Sequence, residues 1–168
     1  MNKLWHPFFA AFLLLTAGPA FADEASFLES IAGNWSGRGT VKLRIDRSPI
    51  NVNCNLGSQA NGPALSMSGT CRGLVVVSRS ISADLRARGT RYSGTYVGPQ
   101  GGRSALSGSR RGNTINLAVR WAKEVNGDHS ATMTIRKTGD NRLTLTTIDK
   151  DPATGRSVVT SEINLRRR

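Results

Sequence analysis

Aromatic residues are scarce in this chain, at 6% of the sequence, and there are only two cysteines and two histidines. Each shortage excludes something. One histidine, His6, falls in the first 22 residues. That leaves His129, in the turn Asn126-Gly127-Asp128-His129-Ser130. Adjacent Asp, His and Ser in one turn make no catalytic triad, whose members must converge from separate places. No His/Cys/Asp grouping has the spacing of a zinc site, so no metal and no cofactor is expected. Asp149–Gly155 matches a calcium loop at two positions, then lacks the ligand at the fifth, the glycine at the sixth and the glutamate at the twelfth. A hairpin turn opened by Asp-Pro is the better reading. Acids are also few: 11 Asp and Glu against 23 Lys and Arg, for a formal net charge of +12.

The only long apolar run is Phe8–Leu15. Lys3 precedes it, Gly18-Pro19 follows, and Ala20-Phe21-Ala22 has the small-x-small pattern of a cleavage site. This is the layout of a secretory signal peptide over residues 1–22, with one domain over 23–168. No transmembrane segment is expected after cleavage. The expected location is the periplasm, or the outside of the cell. There, Cys54 and Cys71 read as one structural disulfide. Arginine outnumbers lysine, and its fixed charge suits phosphate and carboxylate. Export moves the expected anionic partners away from nucleic acid and towards anionic lipid, lipopolysaccharide or acidic glycan.

Beyond residue 32, period-two alternation dominates, which is the strand signal. Trp35, Gly37, Gly39, Val41, Leu43 and Ile45 share one face; Ser36, Arg38, Thr40, Lys42 and Arg44 share the other. Val52, Cys54 and Leu56 alternate with asparagines. Asn61-Gly62-Pro63 is a turn, and Leu65, Met67, Gly69 and Cys71 return on the matching face. Further strands are expected around Ile81–Leu85, Tyr92–Val97, Ser104–Gly108, Thr114–Trp121, Ser130–Lys137, Leu143–Ile148 and Val158–Leu165. Leu74–Val77 is continuously apolar and reads as a doubly buried stretch or a strand corner. Glycine- and asparagine-bearing turns join the strands. One short helical turn around Phe27–Ile31 precedes them. The fold class expected is all-β, an antiparallel up-and-down barrel of about eight to ten strands. An outer-membrane barrel is not expected, because aromatic girdles are missing.

Leu28–Trp35 reads LESIAGNW. A helical turn followed by Gly33-Asn34-Trp35 on the first strand resembles the opening of the lipocalin/calycin group. That resemblance implies that Trp35 closes one barrel end beside a basic residue of the last strand, Arg166 or Arg167. Avidin-like barrels also open on G-x-W, and Tyr92–Tyr96 and Leu117–Trp121 resemble two of their strands. Bacterial metalloprotease-inhibitor barrels share the order of G-x-W followed by two cysteines.

Among candidate site residues, Arg79 falls on the apolar parity of Ile81, Ala83 and Leu85. Pointing inward, it would meet an acidic ligand; a bulge at Ser78–Ser80 turning it outward is the favoured reading. Trp35, Tyr96 and Trp121 are candidates for a ligand wall, with core packing as the alternative. Arg86, Arg88, Arg91, Arg110 and Arg111 flank two turns and form a basic rim if those turns share one barrel end. The expected function is non-catalytic binding in the cell envelope: a small apolar or acidic ligand inside the barrel, or an anionic surface against the arginines. The alternatives are a protease inhibitor using Asp23–Ser30, or an envelope structural factor without a ligand.

Overall fold

The computed structural model describes residues 20–168 except residues 75 and 76. The signal-peptide expectation lies outside the described residues apart from Ala20–Ala22. One helix, α1 (Ala20–Ser30), leads into ten strands: β1 (Gly33–Val41), β2 (Ile50–Asn61), β3 (Ala64–Gly73), β4 (Val77–Arg88), β5 (Arg91–Val97), β6 (Arg103–Arg111), β7 (Thr114–Val125), β8 (Asp128–Gly139), β9 (Arg142–Lys150) and β10 (Ser157–Arg167). Each strand pairs antiparallel with its neighbour in sequence, and β1 closes on β10, giving a closed ten-strand meander. No described helix is long and apolar enough to cross a membrane.

Alternation sets which side chains go inside. Leu65 and Met67 on β3, Leu85 and Ala87 on β4, and Ile115, Leu117 and Val119 on β7 are buried, while their neighbours on the other parity are exposed or half-buried. The apolar side is the inside, opposite to a barrel that faces lipid. Small inward residues let the wall close. A Cβ on Gly37 would lie 1.9 Å from the Asn164 carbonyl oxygen, and one on Gly39 2.0 Å from that of Glu162. No side chain fits between β1 and β10 at those points.

The helix is longer than the single turn expected. Its inner face is Glu24, Phe27, Leu28 and Ile31, an i, i+3, i+4, i+7 stripe. Leu28 and the following Ile31 are fully buried. Burying two such side chains stabilises the docked helix by roughly 3–6 kcal/mol. Glu24 hides the stripe in the sequence, because a charge stands at its first apolar position. Strand β1 is shorter than expected, ending at Val41; Leu43 beyond it is 63% exposed.

Cys54 and Cys71 stand directly opposite each other on β2 and β3 and form the disulfide. The expected bulge at Ser78–Ser80 is absent: β3 and β4 pair without a break from Ala64↔Arg86 to Gly73↔Val77. Arg79 keeps the inward parity yet is exposed, because that stretch of β4 reaches the barrel mouth, where inward still means solvent. A bulge occurs on β10 instead, between Val159 and Ser161.

Candidate functional site

The two barrel ends differ in what covers them. The Asn61–Pro63, Gly89, Gly112 and Asp140 turns lie at the end capped by α1. Trp35 is 1% exposed there. Its indole N–H donates to the Ile31 carbonyl (3.2 Å) and to Ser58 Oγ (3.1 Å). The Arg167 guanidinium lies 4.4 Å from the centre of the Trp35 rings and donates to the carbonyls of Ser30 (2.8 Å) and Ala32. These carbonyls close the end of α1, so Arg167 ties the first helix, the first strand and the last strand together. Trp35 is therefore a plug with both its ring and its N–H satisfied, and it does not line the cavity described below.

Arg110 is also tied into the cap. It donates through Nε to both Glu24 carboxylate oxygens (2.9 and 3.0 Å), pairs with Asp23, and stacks on Phe27 at 4.7 Å. The Tyr92 hydroxyl donates to the same Glu24 carboxylate. Arg110 thus leaves the expected basic rim, because a buried carboxylate needs its charge. Arg86, Arg88, Arg91 and Arg111 stay exposed, and the two turns do share this end. Arg86 lines an open groove of about 680 Å³ on the outer wall, with Ser66, Asp84 and Ser93.

The opposite end is open. A cavity of about 610 Å³ enters the barrel there. Val52, Ile81, Met133 and Ile163 give it apolar walls, with Tyr96 and Trp121 beside them. A narrower recess of about 80 Å³ continues below, sharing Ile81, Tyr96 and Met133. Leu43, Leu74 and Val77, three of the four large apolar side chains exposed among the described residues, fringe the mouth. Arg79 lines the mouth as well. Tyr96 and Trp121 lie against each other with ring centres 6.1 Å apart and planes tilted by 58°. Burial pushes the Tyr96 phenol up to about 12, so it is a neutral wall group.

One polar corner interrupts these apolar walls. Asp149 is the last inward residue of β9, on the parity of Leu143, Leu145 and Thr147, and is 2% exposed. The β10 bulge turns Thr160 inward beside Ser161, and the Thr160 hydroxyl meets one Asp149 oxygen. The Trp121 indole N–H donates to the other at 3.4 Å. Burial raises the Asp149 carboxyl above its ordinary value, while the Thr160 and Trp121 bonds oppose that rise by favouring the charged form. The turn opens at Asp151-Pro152, as expected, with the Asp151 carboxylate accepting from the Ala153 N–H and the Thr154 hydroxyl. The strand is longer than expected: it runs past Ile148 through Asp149 to Lys150. Extending the Leu143–Leu145–Thr147 alternation by one step finds Asp149.

Asp23–Ser30, the segment an inhibitor would extend into a protease cleft, is helical and docked through Glu24, Phe27 and Leu28. Among the described residues no cluster of His, Cys, Asp and Glu could hold a metal.

No protein-family model and no curated protein matches this chain. Solved structures do. Rv2717c from M. tuberculosis is 20% identical with a TM-score of 0.67, covering 90% of this chain and 98% of that one. The S-type phycobiliprotein lyase CPES from Guillardia theta is 14% identical with a TM-score of 0.56, over the same shares. These likenesses show the fold.

Proposed function

We propose that this protein binds a small, largely apolar molecule inside its barrel, in the cell envelope, and performs no chemistry on it. The observation that carries the reading is the cavity of about 610 Å³, open at one end and closed at the other by Trp35 and α1. A closed barrel needs no such space for stability; interiors otherwise fill to crystal-like density. Apolar walls with a few placed polar groups are the usual composition of a small-ligand site. That one solved neighbour is a phycobiliprotein lyase is in keeping with a barrel of this shape serving a small molecule. Arg79 adds a contact for an acidic group at the mouth, weak because it is exposed to water.

Nile red, a neutral apolar dye, tests the reading. The folded protein should take up one equivalent with a blue shift. Ile81→Trp, which blocks the recess and narrows the cavity at a residue lining both, should weaken uptake while leaving the fold intact by circular dichroism. A folded wild-type protein that takes up no dye would refute it.

A second reading, docking on an anionic surface, has its own observation. Arg88, Arg91, Arg111, Arg142 and Arg166 are exposed around the capped end, and none is in an ion pair among the described residues. Binding to anionic phospholipid vesicles should then fall steeply between low and physiological salt. No binding at low salt rejects it.

A further inference from the structure

The interior holds two deeply buried carboxylates, and they are treated differently. Glu24, 2% exposed, has Arg110 as counter-ion. Asp149 is equally buried, lines the ligand cavity, and is in no ion pair among the described residues. Its partners are the neutral donors Thr160, Trp121 and Asn126, and the charged group acting on it is Asp128, a second anion. A buried carboxylate surrounded by donors but lacking a cation leaves a negative potential at the cavity wall. The aromatic pair Trp121 and Tyr96 stands beside it, and aromatic faces also attract cations. The β10 bulge that delivers Thr160 to Asp149 breaks an otherwise regular strand pairing, a device that re-aims side chains at sites.

We propose that the ligand of this cavity carries a protonated nitrogen, an organic ammonium on an apolar body, and that Asp149 is its counter-ion with Trp121 and Tyr96 as the adjoining wall. This rests on the cavity being a ligand site. Two cations also line the cavity, Arg79 and Lys42. Arg79 stands on β4, on the opposite side of the ten-strand ring from β9, and its charge is exposed and screened. Lys42 lies nearer, its backbone N–H donating to the Thr160 carbonyl, but its ammonium donates to the carbonyls of Ile45 and Arg47 and is in no ion pair among the described residues. Neither reverses the preference, because the charge of Asp149 is buried and acts across a low dielectric.

Displacement of Nile red at pH 7.5 by decylammonium, decanol and decanoate tests the assignment. On the wild-type protein decylammonium should displace dye at a concentration about tenfold or more below that of decanol, a charge-assisted bond being the stronger. Asp149→Asn, the same size and able to keep its Thr160 bond, should erase that advantage and leave decanol unchanged. Its melting temperature should match or exceed that of the wild type, since ionising a buried carboxyl whose pKa is raised by folding costs stability at neutral pH. Thr160→Val, which frees Asp149 of one donor without removing its charge, should keep the preference for the amine. An amine no better than the alcohol, an advantage that survives Asp149→Asn, or decanoate as the strongest ligand with loss in Arg79→Ala would each overturn the proposal while leaving the cavity reading standing. Failure of dye uptake itself would remove both.

Discussion

Replacing Arg110 by alanine isolates what holds the helix on the barrel. The side chain is 12% exposed, and the Glu24 side chain it neutralises is 2% exposed. Three interactions end together: the pair to both Glu24 oxygens, the contact with Asp23, and the stacking on Phe27. Asp23 is 68% exposed, so its pair is worth about 0–1 kcal/mol. Glu24 decides the outcome, because removing one partner of a buried pair leaves an uncompensated charge, at about 3–5 kcal/mol. Glu24→Gln should cost less, about 1–2 kcal/mol: a neutral amide still accepts from Tyr92, and the guanidinium keeps Asp23. The double variant should then be more stable than Arg110→Ala alone, since no buried charge remains. Urea unfolding followed by tryptophan fluorescence measures all three. For a domain of this size, about 3 kcal/mol corresponds to a fall in Tm of roughly 6 °C or more. Arg110→Ala within about 1 kcal/mol of the wild type, or a double variant whose loss is the sum of the two singles, would refute the reasoning.

Reduction of Cys54–Cys71, which closes a loop between residues 17 apart, should cost about 3 kcal/mol in the chain-entropy model; urea midpoints with and without reductant check it. Both tyrosines of the chain should resist ionisation in the folded state. Burial raises Tyr96 to about 12, and burial with the Glu24 carboxylate raises Tyr92 further. An unfolded tyrosine loses its proton near pH 10. The stability these groups contribute is therefore whole below pH 10 and is lost as pH climbs through 12. Absorbance at alkaline pH should show no tyrosinate below about pH 11 until the protein unfolds; early ionisation of either ring would contradict the burial.

The alternation of Leu65, Met67, Gly69 and Cys71 against Val52, Cys54 and Leu56 was enough to place the disulfide, because strand parity and hairpin register leave few partners for two cysteines. The turns were legible for a similar reason: Gly62, Gly112 and Asn126 take positive φ there, which few other residues accept. Arg167 over Trp35 agrees with what the G-x-W resemblance implied. The site was less legible. Arg110 looked like a free turn arginine because its partner, Glu24, lies 86 residues away. Asp149 fell outside the expected strand, which stops at Ile148, because a charge at the end of an alternating run normally marks the run's end.

The chain order alone carries the local chemistry: which residues alternate, where the chain reverses, and that the strands number about eight to ten. Those properties depend on neighbours a few positions apart; the cysteine pair, 17 residues apart, follows from the alternation on either side of one turn. Closure of β1 on β10 decided the rest. It made one end a plug of Trp35, α1 and Arg167, left the other end open, put Arg79 at the mouth, and set Asp149 against Thr160 and Trp121 without an ion pair among the described residues. Burial and charge pairing belong to groups that meet only after the ring has closed. The difference between a buried charge that is matched and one that awaits a partner is therefore a property of the barrel and not of any segment of the chain.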